Sequence, residues 1–408
     1  MRKLIKNPRF LFWLSLGILL RLILMPFTAH EDLFSIYTKA SAAVFQNRYY
    51  PLSFSYSWLL AHGLILKIYQ FLWPQITDFF PSDPITLVSN LQKVLANPYL
   101  FRLIFLLKLP FLIIELITLN WFLKFFINQK QKLTALITWL YNPFIIYTLY
   151  IHGRFETLPI LFIVGFFWFL KNKKLSLASL FLGISLSLRM YPVIFIPFVL
   201  LIYPKKLTHF LKQLLILFTP LVATILLSLK IRDTSIIPVQ KPALIQEFLL
   251  PAKISVGNGR SIYLLPVVLI GLFLYAWLNQ KITQKNLWEW CYLTLLITLS
   301  LIFFHPQYFT WIALFSAWQL ARASKKLHSK LIKLYLVQFL GWLMTSLHWG
   351  KSLAFGLLAP INPYFFNAIG SPIVFFERYL PLLDPVSLGR SLILVSHFYL
   401  SWLIIKKI

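Results

Sequence analysis

The chain has 408 residues, of which 59% are hydrophobic and only 12% are charged, and its mean hydropathy is +0.76. Water-soluble domains carry about 25% charged residues, so the composition excludes an ordinary soluble protein and indicates a polytopic membrane protein. The net charge is +28, from 39 basic and 11 acidic residues, and by itself it would suggest nucleic-acid binding.

The distribution of the basic residues argues against nucleic acid and reports membrane topology instead. Seven short segments hold 22 of the 39 Lys and Arg residues and none of the acidic ones: 1–9, 124–132, 171–174, 204–212, 279–285, 322–333 and 406–407. Basic loops resist translocation, so we expect these segments and both termini to lie in the cytoplasm, near anionic lipid head groups. Nine of the 11 acidic residues then lie on the outer side.

Apolar runs close to the ~20 residues that cross a bilayer recur along the chain and predict about twelve transmembrane helices. They lie near 9–28, 103–123, 133–150, 157–170, 175–188, 191–203, 210–229, 261–278, 287–304, 307–321, 334–348 and 389–405. The first run lacks a small-residue cleavage site, so we expect a retained helix rather than a signal peptide. The single cysteine, Cys291, excludes an intramolecular disulfide.

These spans leave a long first outer loop, 29–102, and a last outer loop, 349–388. The apolar run 57–73 lies within the first loop, and a crossing there would move three lysines of the segment 124–132 to the outer side. We therefore predict an interfacial helix on the outer face. The whole chain, 1–408, is predicted to form a single all-α, membrane-embedded domain.

Two adjacent acids, Glu31 and Asp32, follow the first span directly. A carboxylate held where the chain leaves the membrane can accept a proton from a hydroxyl nucleophile. The alternative is a structural acid pair bonded to Lys39 or Arg48. Their position in a chain with few acids favours the catalytic interpretation.

Arg189 lies between two short spans, where Pro192 is expected to end a helix. An intramembrane cation needs a cavity or a partner, and a planar guanidinium suits a phosphate. The alternative is that Arg189 extends to the outer interface. Likewise, Arg154 and Glu156 form a polar turn that either belongs to the site or caps the next helix.

Two further interpretations concern buried polar groups. Glu115 lies inside an apolar span, and a structural pair with Lys108, two helical turns away, is the expected arrangement. The eight histidines are scattered without paired spacing, so only Glu31 and Asp32 would offer a site for a hard cation. Polar groups also stand at the outer ends of later spans: Asn258, Gln307 and Tyr308.

Taken in series, these blocks resemble GT-C superfamily glycosyltransferases, most of all the catalytic subunit of the first GPI mannosyltransferase and its prokaryotic relatives. W-L-Y-N-P at 139–143 and G-R-F-E-T at 153–157 are similar to the family's asparagine-proline block followed by R-G-N-(A/C)-(D/E)-S. L-R-M-Y-P-V at 188–193 is similar to H-M-K-I-Y-P-V, and Q-Y-F-T-W at 307–311 to S-Q-Y-F-x-W. The family's first outer loop carries D-x-D-Y, for which either Glu31 or Asp32 is the match.

The resemblance implies an inverting glycosyltransferase, with mannose as the favoured sugar, that uses a polyprenyl-phosphate donor and a lipid- or glycan-linked acceptor on the outer or lumenal face. It implies a multi-pass protein of the plasma membrane in a prokaryote, or of the endoplasmic reticulum in a eukaryote. No cofactor is firmly implied, and a divalent cation stays open. The implied residues are the base Asp32 or Glu31, the donor-phosphate ligands Arg189, Arg154 and Tyr191, and the substrate contacts His152, Glu156, Gln307, Tyr308 and Asn258.

Two rival interpretations remain at this point. A translocase for polyprenyl phosphate or a glycolipid would use the same polar cleft without covalent chemistry, but transporters usually have internal repeats with broken helices in both halves. An accessory subunit packed against a separate catalyst would need neither Asp32 nor Arg189.

Overall fold

The structure is a computed structural model that describes residues 7–49, 56–80, 95, 97–230, 250–257, 259–350, 352–367, 370–379 and 384–408. Helices make up nearly all of it. They are α1 (Pro8–Phe27), α2 (Glu31–Phe45), α3 (Tyr56–Leu72), α4 (Leu100–Leu123), α5 (Gln129–Leu140), α6 (Thr157–Lys171), α7 (Leu175–Leu188), α8 (Ile196–Leu201), α9 (Leu207–Lys230), α10 (Leu264–Leu278), α11 (Leu287–Leu301), α12 (Thr310–Arg322), α13 (Lys325–Ser346), α14 (Tyr364–Asn367), α15 (Pro372–Tyr379) and α16 (Pro385–Ile405).

Shorter elements lie between these helices. A short turn, Pro143–Ile145, continues into a π-helical segment, Ile146–His152, and single 3₁₀ turns include Tyr191–Phe195 and Pro306–Phe309. Within the described residues the only sheet is an antiparallel hairpin of β1 (Lys253–Gly257) and β2 (Arg260–Tyr263), in which Lys253 faces Tyr263.

The predicted fold class, all-α, is confirmed, and the short β-hairpin is the one departure from it among the described residues. A helical element occurs at each predicted span, but the count of twelve crossings is not confirmed. In the part of the chain that the structure describes, four helical stretches are long and apolar enough to cross a membrane: Pro8–Phe27, Gln129–His152, Leu207–Leu229 and Pro385–Ile405. Five further apolar helices are shorter. The set indicates a multi-pass membrane protein.

Close helix packing follows from small residues at the contacts. A Cβ on Gly341 of α13 would lie 2.7 Å from the carbonyl oxygen of Gly389 in α16, and a Cβ on Gly183 of α7 would lie 2.1 Å from that of Leu217 in α9. Only glycine allows these backbones to approach so closely.

The predicted interfacial run 57–73 is the helix α3, and its two sides differ. Trp58, Leu59 and Leu66 are buried against the rest of the protein, whereas Phe71 is 87% exposed. The helix therefore packs through one face beside α2, and its location relative to the membrane stays a prediction. Asn258, a predicted substrate contact, lies outside the described residues.

Candidate active site

Four chain junctions meet around a set of alternating charges. Asp32, just after α1, accepts a hydrogen bond from Arg154, which precedes α6. Glu156 accepts one from Arg189, which follows α7, and a second from Nε1 of Trp311 in α12 at 3.1 Å. The structure thus brings together the acid of the first outer loop and the three later blocks that the sequence singled out.

These contacts decide between the alternatives for Arg189 and for the turn before α6. Arg189 is only 16% exposed in its side chain and paired with the fully buried Glu156, so it does not extend to an interface. The side chain of Glu156 makes no capping hydrogen bond to α6. Asp32 bonds Arg154 from the second loop block, so the pair is part of a tertiary cluster.

Local backbone features direct these side chains to one place. His30 caps α2, because its Nδ1 accepts the backbone N–H of Asp32 at 3.2 Å. The π-helical segment ends at Gly153, whose φ of 90° is left-handed, and a Cβ there would lie 3.2 Å from the Leu33 side chain. Glycine is therefore required at this turn, and the turn presents Arg154 to Asp32.

The electrostatics around Asp32 favour its charged form. Burial alone would raise the pKa of the Asp32 carboxyl, but the charge of Arg154 and the adjacent imidazoles of His152 and His30 together hold that pKa below its usual range. Asp32 is therefore an anion at any physiological pH. Burial, together with the charge of Arg154, lowers the pKa of His305 to about 3, so that imidazole is neutral.

Three histidines cluster at Asp32, two beside its carboxylate and the third against one of those two, contrary to the expectation from their scattered spacing. His30 Nδ1 lies 3.1 Å and His152 Nε2 lies 3.6 Å from Asp32 Oδ2. The rings of His30 and His152 meet edge to face at 4.5 Å, and the ring of His305 stacks on that of His152 at 6.1 Å. Because these residues are 122 to 275 positions apart, only the fold could reveal the cluster.

Aromatic rings form the wall on the other side of the charges. Trp311 stacks between Tyr191, at 4.2 Å, and Tyr308, at 4.6 Å. The Arg189 guanidinium lies over the Trp58 ring at 4.8 Å. Tyr308 is half-buried, and Gln307 is buried beside it. Two predicted substrate contacts and one predicted phosphate ligand therefore lie at the same site.

Glu31 points to a different environment from that of its neighbour Asp32. It is half-buried and lines a cavity between α2 and the last outer loop, together with Ala29, His30, Phe34, Leu95, Ser352, Gly356, Ala359 and Pro360. Glu31 therefore lines a cavity, whereas the carboxylate of Asp32 contacts Arg154 and two imidazoles.

Residues of the predicted last outer loop contact this site, which sequence reasoning missed. His30 Nε2 lies 3.0 Å from Ser352 Oγ. The backbone N–H of Ala29 donates to the carbonyl of Leu357 at 3.0 Å, and Tyr147 Oη donates to that of Leu353 at 3.0 Å. These contacts join positions more than 200 residues apart, and no local motif marks them.

Beneath the site, Glu115 has a structural pair, but its partner is not the expected Lys108. Arg21 donates to both Glu115 oxygens at 2.7 Å, and Trp139 and Tyr150 donate as well. Lys108 instead donates to the backbone carbonyls of Thr28 and Tyr150. The i to i+7 spacing was misleading because both groups find partners on other helices.

Comparison with known proteins agrees with the motif-based resemblance. The chain is 28% identical to GPI mannosyltransferase 1 of Saccharomyces cerevisiae over 43% of its own length and 41% of the yeast protein. For the GPI mannosyltransferase 1 of Candida albicans the identity is 24%, over 41% and 43% of the two chains. For that of Dictyostelium discoideum it is 27%, over 44% and 37%.

The similarity covers less than half the length of these curated relatives. No family model matches the chain, and no solved structure matches it significantly. The resemblance to the catalytic subunit of GPI mannosyltransferase I is confirmed.

Proposed function

We propose that the protein is a membrane mannosyltransferase that moves mannose from a polyprenyl-phosphate carrier to a lipid- or glycan-linked acceptor on the outer or lumenal face. The observation that carries the proposal is the meeting of the junctions that hold Arg154 and Arg189 with the acid pair, in which Asp32 is bonded to Arg154 and Glu31 lines a cavity. The resemblance to GPI mannosyltransferase 1 supports the sugar and the type of reaction.

The two arginines are suited to bind the donor phosphate. Arg154 is paired with Asp32 and Arg189 with Glu156, and a guanidinium has five N–H donors. A phosphate could therefore share both cations without displacing the acids completely. In a low-dielectric site, such preorganised cations stabilise the charge on a departing phosphate by several kcal/mol, of the order of 3 kcal/mol per donor.

The reaction forms one glycosidic bond and breaks one sugar–phosphate bond. The acceptor hydroxyl oxygen attacks the anomeric carbon of the donor, with inversion, while the C–O bond to phosphate breaks and its electron pair leaves with the phosphate. The hydroxyl proton passes to a carboxylate of the enzyme. We propose that Tyr191 contacts the donor phosphate and that Tyr308, Gln307, His152 and Glu156 contact the substrates, since these residues lie around the two arginine pairs.

We propose Glu31 as the base within the acid pair. A base must reach the acceptor hydroxyl directly or through one water molecule, and Glu31 lines the cavity. The Oδ2 atom of Asp32, in contrast, already contacts Arg154 and two imidazoles. Asp32 is then the group that holds Arg154 in place for the phosphate.

The test is incubation of the purified protein with polyprenyl-phosphate-mannose and candidate acceptors, with free polyprenyl phosphate as the readout. Glu31→Gln should lower the turnover roughly 10²–10⁴-fold, the usual cost of losing a general base, while donor binding is retained. Asp32→Asn should mainly weaken donor binding. The reverse pattern would move the base to Asp32, and activity in both variants would exclude the pair from catalysis.

The same assay separates an enzyme from a translocase. A translocase moves its lipid across a vesicle membrane without releasing polyprenyl phosphate, so lipid movement in the absence of product release would refute the proposed transfer. We propose the endoplasmic reticulum membrane as its location in a eukaryote and the plasma membrane in a prokaryote.

A further inference from the structure

The cluster of His30, Asp32 and His152 has the composition and the spacing of a metal-ligand set. One ligand atom from each residue lies within 4.8 Å of the other two, and the distances to Asp32 Oδ2 are 3.1 Å from His30 Nδ1 and 3.6 Å from His152 Nε2. Two ligands of a tetrahedral zinc ion lie about 3.3 Å apart, since Zn–N and Zn–O bonds are about 2.0–2.2 Å long.

His152 gives independent support. Its side chain is fully buried, and neither ring nitrogen has a hydrogen-bond partner among the described residues. Buried polar atoms normally have a partner, and an exception in a native structure points to a redox or catalytic role, an ion or a water molecule. The Nε2 atom of this imidazole is directed toward the carboxylate of Asp32.

The hydrogen bonds of His30 lead to the same conclusion. Its Nδ1 accepts the backbone N–H of Asp32, which requires a lone pair on Nδ1, and its Nε2 is then the donor to Ser352 Oγ at 3.0 Å. The same lone pair faces the carboxylate oxygen of Asp32 at 3.1 Å. Two acceptors at this distance repel each other unless a proton or a metal ion lies between them, and a metal ion here would take the Nδ1 lone pair from the backbone N–H.

We propose that His30, Asp32 and His152 bind a divalent first-row transition ion, best represented by Zn²⁺, next to Arg154. Two imidazoles and one carboxylate are common ligands for such an ion, and three protein ligands leave a position open for an oxygen of a substrate. If the proposed function holds, that oxygen comes from the donor phosphate. Binding of the ion itself does not depend on the proposed function.

Arg154 makes the proposal specific, because its guanidinium contacts the same Oδ2 atom that would ligate the ion. The cation of the side chain and the divalent ion therefore compete for one oxygen. Metal binding should move Arg154 away from Asp32, toward the position where a phosphate would lie.

The experiment measures metal binding and not sugar transfer. The full-length protein is purified in detergent without phosphate, stripped with a chelator and titrated with Zn²⁺ by calorimetry, with bound zinc counted by elemental analysis. We expect one Zn²⁺ per chain. His152→Gln and Asp32→Asn should each weaken binding at least about 100-fold, because loss of a mere supporting partner already costs about 10–100-fold.

Two comparisons make the result specific. Arg154→Met should bind Zn²⁺ at least about tenfold more tightly, since it removes a like charge a few ångströms from the ion. His62→Gln is the matched control, because His62 is also a buried histidine but bonds the carbonyl of Trp58, and it should bind as the unaltered protein does. Mg²⁺, which avoids imidazole ligands, should not replace Zn²⁺.

The proposal is overturned if the unaltered protein binds no zinc, since the contact of His30 with Asp32 is then explained by a proton on the imidazole. Equal loss in His62→Gln and His152→Gln, or unchanged affinity in Arg154→Met, also overturns it. The Arg154→Met comparison keeps the test decisive even if His152→Gln fails to fold. None of these outcomes bears on whether the protein transfers mannose.

Discussion

The ion pair between Arg21 and Glu115 should be essential for stability, and the chain offers a way to measure it. The pair links α1 to α4, and its two side chains are completely buried. It lies under the junctions that carry Glu31 and Arg154. We consider Glu115→Leu, Arg21→Met and the double variant, which remove one charge, the other, and both.

The expected magnitude follows from the bonds that each variant breaks. Glu115 accepts two bonds from Arg21 at 2.7 Å, one from Trp139 at 3.0 Å and one from Tyr150. Removing one partner of a buried ion pair costs about 3–5 kcal/mol, whereas replacing both by apolar groups is often nearly neutral. Trp139 and Tyr150 lose their acceptor in the double variant, at about 1–3 kcal/mol for each buried donor.

The double variant should therefore be destabilised by less than the sum of the two single variants, with a coupling energy of about 2–3 kcal/mol. Reversible denaturant unfolding in detergent micelles, followed by tryptophan fluorescence, measures the free energy of unfolding of all three. Glu289→Gln is the matched control, because its partner Lys407 is 60% exposed. Because the lysine end of this pair is open to solvent, the pair contributes at most about 1 kcal/mol.

Two results would contradict this account. If each single variant lost no more than the Glu289→Gln control, the buried pair would not contribute to stability. If the double variant lost the full sum, Arg21 and Glu115 would act independently, and their hydrogen bonds could not be the source of the effect.

Three more predictions concern the site and the topology. Arg189→Lys should keep part of the transfer activity but use the donor less well, and Arg189→Met should keep almost none. Steady-state kinetics at varied donor concentration, with rates normalised to folded protein, measure both variants. If the Met variant shows the same dependence of rate on donor concentration as the unaltered protein, Arg189 does not bind the phosphate. Gly153→Ala should cost about 1–2 kcal/mol in unfolding free energy from its left-handed backbone, and an unchanged value would show that the turn relaxes. A cysteine at Lys130, introduced after Cys291 is replaced, should not react with an impermeant reagent added outside; labelling there would refute the proposed orientation.

Hydropathy and charge predicted a helical element at each span, although not the number of crossings, and selected the junctions that meet at the candidate site. The junctions at 28–32, 152–156, 188–192 and 305–311 all fall on the outer side when spans alternate from a cytoplasmic N-terminus. In the structure these same four junctions meet. Their meeting supports the alternation, because segments on opposite sides of a membrane could not be in contact.

The sequence could not predict which charges pair, because partners lie on different helices. Glu115 is seven positions from Lys108, yet its partner Arg21 is 94 positions away. The histidines at 30 and 152 show no ligand spacing along the chain. The last outer loop, which adds little to the motif series, reaches His30 across 322 positions. Hydropathy reports burial, but it does not report which helix faces which.

Lys108 explains how the two halves of the site keep their relative position. Its Nζ is fully buried and donates to the carbonyl of Thr28, at the end of α1, and to that of Tyr150, in the π-helical segment, the latter at 2.6 Å. Burying an amino group away from water costs free energy unless the group is hydrogen-bonded. The two carbonyls that accept from Lys108 offset this cost only while both stay in place. Thr28 lies just before the acids of the first outer loop, and Tyr150 lies just before His152 and Arg154. One side chain therefore ties the chain segment that carries the proposed base to the segment that carries a proposed phosphate ligand, which is the kind of rigid support that a preorganised site requires.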